Sequence, residues 1–209
     1  MTLIDLANPS KFLALTTRVL PWLAGATAIL LAVAQAYFAA AGTDAETQLA
    51  LDSTVVLIDP NQNPDGRERH THDVERTWSA QGIASEPGAL NNAGSWPGPR
   101  TSHYYFDLNR DWAWQTQIET RQRLLKYNEW MPQVHVDVHE QGPNSPYYFA
   151  PAAQPYHRYL TQWQRDFQVQ IGKNNAKYFD QEGWLYFTKE VFDLLYPSYG
   201  DTYPMFSGA

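Results

Sequence analysis

The chain has 209 residues, with 22 acidic against 15 basic side chains and a formal net charge of −7. Because Lys and Arg are scattered and form no basic stripe, this balance argues against a nucleic-acid partner. The absence of cysteine excludes disulfides, thiolate metal sites and a cysteine nucleophile. A hydrophobic content of 44% at this length is sufficient for one sizeable α/β domain.

An uncharged, apolar run extends over residues 19–42, after a weakly basic start that contains Lys11 and Arg18. The run is long enough to cross a bilayer, and the basic residues before it favour a cytoplasmic amino terminus. Three interpretations stay open: an uncleaved anchor, a signal peptide, or a buried helix of a soluble domain. We expect residues 1–42 to form a leader and residues 43–209 a separate domain. Membrane association through residues 19–42, or a secreted or periplasmic location, would follow from the first two interpretations.

The domain region starts with a β-branched run at residues 53–58, which predicts a strand covered on both faces. A dense group of turn-forming residues follows at 59–66 and predicts a loop. Residues 67–100 show no convincing periodicity, so we expect a long surface excursion. Within it, His72 and Glu75 have a spacing that could present two zinc ligands on a helix, although a solvated loop is the simpler interpretation.

A helix is predicted over residues 115–130, with Trp114, Ile118 and Leu125 on its apolar face. Asn109 or Asp111 is suited to cap it, because both side chains carry acceptor oxygens.

Arg110 precedes this helix, beside the amide of Asn109. A guanidinium at this place can hold a substrate carboxylate in a bidentate pair. A salt bridge from Arg110 to Asp107 or Asp111 is the equally weighted alternative.

Residues 133–142, Gln-Val-His-Val-Asp-Val-His-Glu-Gln-Gly, alternate valine with polar residues. This pattern predicts a strand with valines on one face and His135, Asp137 and His139 on the other. Since catalytic groups often lie where a strand of an α/β sheet ends, His139 is the candidate metal or catalytic residue. For His135 we favour packing in the structure.

The last part of the chain contains a pocket-like aromatic segment at 147–149, a predicted helix at 156–179 and another aromatic segment at 184–195. A helically spaced stripe predicts the buried side of that helix; its members are Tyr159, Trp163, Phe167 and Ile171. The expected fold class is α/β, with a mixed β-sheet flanked by helices and an apolar helix before it.

Three ordered motifs carry a resemblance to a known family. Asn-Pro-Asp-Gly at residues 63–66, Asp-Leu-Asn-Arg-Asp-Trp at 107–112 and the strand ending in His139 resemble successive segments of the zinc metallocarboxypeptidases, the carboxypeptidase A-like exopeptidases. The resemblance covers roughly residues 33–209, and three motifs in order are far more specific than one. It extends to bacterial members with the segments Ile-Asp-Pro-Asn-Gln-Asn-Pro-Asp-Gly and Tyr-Tyr-Phe-Ala-Pro.

The resemblance implies a zinc cofactor and a peptide substrate with a free carboxyl terminus. By position it makes His139 the third zinc ligand, and it assigns the substrate carboxylate to Asn109 and Arg110. Tyr199 would be the tyrosine that closes over the substrate. For the arginine that polarises the scissile carbonyl it indicates Arg100, with Arg67 and Arg76 as competitors.

This sequence also departs from the family pattern. The family's first two zinc ligands lie in a His-x-x-Glu motif upstream of the Asn-Pro-Asp-Gly loop, but residues 21–31 contain neither His nor Glu. The catalytic glutamate, expected well beyond Tyr199, is also missing. We therefore expect a truncated domain with an incomplete zinc site and no activity of its own. An inactive pseudoenzyme and a membrane-tethered interaction fragment are the alternatives.

The first thirty or so residues, beginning Met-Thr-Leu-Ile-Asp-Leu-Ala-Asn-Pro, resemble the amino terminus of a bacterial haem exporter subunit. This second resemblance covers a leader and one apolar helix. The two resemblances together predict a fusion of a membrane-type leader with the middle of a carboxypeptidase domain.

Overall fold

The computed structural model describes residues 41–77, 96–139, 141 and 145–207. The expectations for the leader therefore lie almost entirely outside the described residues. Glu140, the residue after His139, also lies outside them. None of the helices within the described ranges combines enough length with enough apolar character for a bilayer crossing. The chain divides into two compact units, Met1–Tyr105 and Phe106–Ala209.

In the first unit, helix α1 spans Ala45–Ser53 and is capped by Asp44, whose carboxylate accepts a 2.8 Å hydrogen bond from the amide of Thr47. The strand predicted at residues 53–58 is wrong, since the helix ends at Ser53 and residues 54–58 have no regular structure. Val55, the most exposed apolar residue of this run, is 71% exposed. A β-branched run forms a strand only where a neighbour can pair with it, and the first unit has no strand among its described residues.

Helix α2 spans Pro64–Thr77, so the predicted surface excursion is wrong for residues 67–77. Asn63 starts the helix by accepting a 3.0 Å hydrogen bond from the amide of Gly66, and Pro64 fits the first helical position. The helix escaped prediction because its sequence is polar all round and has no apolar stripe. The Asn63 amide also donates to the carbonyls of Pro99 and Arg100, which fastens the helix start to a distant loop.

The second unit contains two small parallel sheets, each with two strands. Strand β1 (Tyr147–Tyr148) pairs with β3 (Tyr186–Phe187), and β2 (Ala153–Tyr156) pairs with β4 (Asp193–Leu194). Helix α4, Gln162–Glu182, provides the crossover that parallel pairing requires. Helices with small parallel sheets agree with the predicted α/β class.

Helix α4 follows the predicted helix, displaced by six residues at its start. Thr161 and Gln164 form a capping box at its amino end, and Gly183 ends it in the left-handed conformation at φ 68°. The predicted buried stripe is wrong, because Tyr159 and Trp163 are 59% and 63% exposed. The buried position is instead Gly172, where the helix backbone lies directly against the loop at Ala150.

Helix α3 spans Ile118–Trp130, close to the prediction. Its predicted apolar face is wrong, since Ile118 and Leu125 are 51% and 65% exposed, whereas Thr120 and Leu124 are buried. The buried face of α3 is therefore set by the segments that pack against the helix, and it differs from the apolar face predicted from the sequence. A short helix, α5, covers Pro204–Ser207.

The buried residues of the second unit lie in two places. Ala152, Leu160 and Leu194 form one cluster, with Tyr156 and Met205 packed against it. Trp112, 1% exposed, lies elsewhere, with the rings of Tyr127, His135 and Tyr203 around it at centroid distances of 5.5 to 5.9 Å. This aromatic group underlies the residues that the sequence singled out as a site.

Candidate functional site

The site starts from a single turn of 3₁₀ helix, Leu108–Arg110, in the second unit. Asp107 caps it by accepting a 2.9 Å hydrogen bond from the amide of Asn109, and the buried Leu108 anchors it. The turn thereby presents the side chains of Asn109 and Arg110 at neighbouring positions.

The Asn109 side chain joins three segments of the second unit. Its Nδ2 lies 3.1 Å from His139 Nε2 and 3.4 Å from Asp137 Oδ2. Its Oδ1 accepts a 2.6 Å hydrogen bond from the backbone amide of Gly200. One amide thus fixes the candidate metal ligand and the turn that follows the candidate tyrosine.

The segment with His139 is not a strand in the structure, so that prediction is wrong. Neighbouring residues of the segment nevertheless differ in burial, since Val136 is 73% exposed whereas the Asp137 side chain is only 6% exposed. Asp137 Oδ2 lies 2.7 Å from His139 Nε2. Asp137 therefore faces inward, and this nearly buried carboxylate contacts the partly exposed ring of His139.

Gly200 packs directly against Asp137 and Trp112, and no larger residue fits at this position. A Cβ at this position would lie 2.7 Å from Asp137 Oδ2 and 3.1 Å from the Trp112 indole nitrogen. The same turn is held by a 3.2 Å hydrogen bond from the Trp112 amide to the carbonyl of Ser198. Glycine is required here for close approach, since no side chain can lie between the turn and Asp137.

Asp201, the next residue, adds negative charge to this place. Although the residue as a whole is exposed, burial of its carboxyl group raises its pKa, and the nearby Asp137 carboxylate raises it further. His139 opposes the shift. The imidazole of His139 thus lies in the field of two acidic groups.

Arg110 stacks on Tyr199, with its guanidinium carbon 4.2 Å from the ring centroid. Its Nη1 donates to the carbonyl of Asn109 at 2.8 Å and lies 3.9 Å from Asp107 Oδ2. Of the two predicted salt-bridge alternatives, the structure shows the contact to Asp107, at the long end of an ion pair. The Arg110 side chain is 50% exposed and can accept a further anion.

Asp111 does not pair with Arg110, because its carboxylate is occupied by hydrogen bonds from Thr116 and Gln117. Its carboxylate accepts hydrogen bonds from the amides of Thr116 and Gln117, both at 2.9 Å, and from the Thr116 hydroxyl at 2.6 Å. Burial would raise the pKa of Asp111, but these hydrogen bonds together outweigh burial and lower it. The predicted cap is wrong, because Gln117 is the N-cap of α3 and no side chain caps the helix. Asp111 instead holds Thr116 and Gln117, the two residues before α3.

His135 is packed, as the sequence favoured. Its ring lies edge-on to Trp112 and Tyr127 at 5.5 and 5.6 Å between centroids. Burial lowers its pKa, against the attraction of Asp137, while Arg123 lowers it further. The buried Nε2 of His135 finds no hydrogen-bond partner in the described part of the chain.

The remaining candidates belong to the first unit. Arg100 is exposed there, and its carbonyl accepts from Asn63. His72 and Glu75 lie on the exposed side of α2. A pairing missed from the sequence joins Asp65 to His103, with 2.7 Å between Oδ2 and Nδ1, and this hydrogen bond lowers the pKa of Asp65.

The donors around His139 can be compared with what a zinc ion requires. Catalytic zinc sites use three protein ligands, drawn from His, Asp, Glu and Cys. His139 Nε2 and Asp137 Oδ2 supply two, already bonded to each other. Over residues 41–77, 96–139, 141 and 145–207, no third His, Asp or Glu lies close enough to complete the set. The described residues around His139 therefore do not fit a complete catalytic zinc site.

Comparison with known proteins gives the family. The profile of the zinc carboxypeptidase family matches residues 22–179, well over half of the 209 residues. The chain therefore belongs to the zinc carboxypeptidase family. The matched range contains Asn109, Arg110 and His139 and ends before Tyr199.

A second similarity is much shorter. The chain is 82% identical over 33 residues to heme exporter protein C of Bradyrhizobium diazoefficiens. The match covers 16% of this chain and 12% of that protein. It supports the resemblance noted for the leader, and so short a segment carries no argument about transport. No solved structure matches the chain.

Proposed function

We propose that this chain binds the free carboxyl terminus of a peptide through Asn109 and Arg110, and that it does not hydrolyse the peptide bond on its own. The observation that carries the proposal is the single 3₁₀ turn that presents both side chains, with the Arg110 guanidinium stacked on Tyr199 and half exposed. Family membership favours a peptide as the ligand. The side chains of Asn109 and Arg110 favour the carboxyl terminus as the part of the peptide that is bound.

The chemistry of the pair suits a carboxylate. A guanidinium offers parallel N–H donors to two carboxylate oxygens, and an amide adds a neutral donor beside it. Arg110 uses Nη1 for the carbonyl of Asn109, which holds the planar group in one orientation. Prior orientation reduces the entropy lost when the anion binds.

Tyr199 would cover the bound carboxyl end. Its ring already packs on Arg110 and lies 5.6 Å from the ring of Tyr196. The hydrogen bond from Gly200 to Asn109 sets the position of this tyrosine relative to the carboxylate-binding pair.

Hydrolysis by the family depends on zinc, which activates water and polarises the carbonyl. The described residues offer two donors of the zinc-binding type at His139, and no histidine precedes His70 in the sequence. Arg100, the candidate for carbonyl polarisation, remains a proposal from family resemblance alone. We therefore assign recognition of the peptide to this chain and derive no catalytic step from it.

The test compares two peptides that differ only at the carboxyl end, one with a free carboxylate and one amidated, titrated calorimetrically into the purified 209-residue chain. We expect the free acid to bind at least about tenfold more tightly, because charged hydrogen bonds contribute roughly 1.5–3 kcal/mol. Arg110→Gln should abolish the difference, and Arg121→Gln, an exposed arginine on α3, should leave it unchanged. Equal affinity for both peptides would refute the proposal.

The inactivity is tested separately by mass spectrometry of the same free-acid peptide after incubation with the chain and added zinc. We expect no loss of the terminal residue. Release that a chelator abolishes would show that the chain carries a working metal site.

A further inference from the structure

A cleft in the second unit has a volume of about 510 Å³ and shares no lining residue with the site around Asn109. The residues that matter for its chemistry come from three segments of the chain; they are Pro151, Tyr156, Arg165, Asp166, Val169 and Lys189. Ligand pockets typically measure roughly 300–1,000 Å³, so this cleft has room for a molecule of amino-acid size.

The walls of the cleft are fixed to each other. The amide of Lys189 donates to the carbonyl of Pro151 at 2.8 Å, and Lys189 adopts a left-handed conformation with φ 59°. On the opposite side, the amide of Ala152 donates to the Gln168 side chain of α4 at 3.1 Å. The hydroxyl of Tyr156 donates to the carbonyl of Ala152 at 2.7 Å, which holds its ring in the cleft wall. These bonds make the cleft a formed site.

Its charges leave an excess of one positive side chain. Arg165 and Lys189 both line the cleft, and neither pairs with a carboxylate in the described part of the chain. The Nε of Arg165 is buried without a hydrogen-bond partner there, and its guanidinium lies 5.5 Å from the Tyr156 ring centroid. Asp166 is the one acidic lining residue, and it accepts from Gln162 at 2.9 Å. A buried donor without an acceptor is costly, which favours an anionic ligand.

We propose that this cleft binds a small monocarboxylate, with the carboxyl group between Arg165 and Lys189 and an apolar body against Val169 and Pro151. A single negative charge matches the excess of one positive charge. A dianion such as phosphate is disfavoured by the nearby Asp166 carboxylate. The proposal is independent of the function proposed for Asn109 and Arg110.

The experiment titrates N-acetylleucine into the full chain and into its Arg110→Gln variant, so that binding at the first site is removed. Binding is measured by calorimetry. N-acetylleucinamide, which lacks the carboxylate, and inorganic phosphate are titrated in parallel. We expect N-acetylleucine to bind to the Arg110→Gln chain, and the amide and phosphate to bind at least about tenfold more weakly.

Two further substitutions in that background locate the binding. Arg165→Gln and Lys189→Asn, the latter compatible with a left-handed backbone, should each weaken N-acetylleucine about tenfold. Lys173→Gln, elsewhere on α4, should not change the affinity. Unchanged affinity in both cleft variants, or equal binding of phosphate or the amide, would overturn the proposal. If circular dichroism shows that Arg165→Gln is unfolded, the exposed Lys189→Asn variant decides.

Discussion

Asn109 Oδ1 accepts a hydrogen bond from the amide of Gly200 at 2.6 Å, although the two residues are 91 positions apart in the sequence. The same side chain contacts His139 through Nδ2. An amide side chain can accept a hydrogen bond on its oxygen and donate one from its nitrogen, so Asn109 can contact both segments at once. The relationship couples the position of the Tyr199 turn to the residues expected to bind a carboxylate.

Asn109→Asp tests this coupling, because it keeps the shape and replaces the Nδ2 donor with a second oxygen. That oxygen would lie about as far from Asp137 Oδ2 as Nδ2 does now, 3.4 Å. We expect the free energy of unfolding at neutral pH to fall by about 1–3 kcal/mol through like-charge repulsion and the lost hydrogen bond. Urea denaturation measures the change, and Asn128→Asp on the exposed side of α3 is the control. Equal losses in both variants would contradict the coupling.

Gly172 within α4 and Gly183 directly after it should respond differently to alanine. Alanine in a helix usually gains up to about 1 kcal/mol over glycine. At Gly172, however, the new Cβ would lie 2.3 Å from the carbonyl oxygen of Ala150. We expect Gly172→Ala to destabilise the fold by about 1–3 kcal/mol, since backbone must move to admit it.

Gly183→Ala is the matched comparison. Its Cβ would meet nothing within 4 Å, and only the left-handed φ of 68° opposes it. The cost there should be about 1 kcal/mol. A Gly172→Ala variant that is more stable than the wild type would show that α4 does not lie against the loop at Ala150.

His135 predicts a pH dependence of stability. Burial lowers the pKa of its imidazole from the ordinary value of 6.5, so the unfolded chain binds the proton more readily than the folded one. The stability contribution is complete above that value and is lost as the pH falls from 6.5 through the folded-state pKa. The slope for one proton is at most about 1.4 kcal/mol per pH unit.

His135→Phe removes this titration and retains an aromatic ring against Trp112. The free energy of unfolding, measured by urea denaturation at several pH values, should then depend less on pH between about 7 and about 5. His72→Gln, on the exposed side of α2, should retain the wild-type slope. An identical slope in the wild type and His135→Phe would mean that His135 is not buried as described.

Substitutions at Tyr199 distinguish the contribution of its ring to peptide affinity from the contribution of its hydroxyl. The contact with Arg110 is made by the ring face at 4.2 Å. We therefore expect Tyr199→Phe to bind a free-carboxyl peptide nearly as well as the wild type, and Tyr199→Leu to bind it about three- to tenfold more weakly. Fluorescence or calorimetric titration measures both. A large loss in Tyr199→Phe would assign the effect to the hydroxyl.

The sequence singles out Asn109, Arg110 and His139 through their side-chain chemistry and the family resemblance, and their functional roles stay predictions. The structure brings these three side chains and Tyr199 into one place in the second unit. The sequence also predicted helices close to α3 and α4, because both helices are long enough to show a helical pattern. The helices and small parallel sheets of the structure agree with the α/β class that the sequence predicted.

What could not be predicted depends on partners distant in sequence. Residues 53–58 and the segment with His139 have strand-like sequences, yet a strand exists only where a neighbour pairs with it. The buried side of α4 is set by Gly172 against Ala150, and a search for apolar spacing passes over a glycine. The Asp65–His103 pair likewise joins residues 38 positions apart with no local signal.

The most direct measurement is a zinc titration of the purified 209-residue chain, with His139→Ala in parallel. We propose that Asn109 and Arg110 recognise the carboxylate, and that His139 and Asp137 do not complete a zinc site. We therefore expect weak or absent zinc binding in the wild-type chain. Tight binding of one zinc ion per chain that is lost in His139→Ala would contradict this proposal, because other ligands would then complete the site.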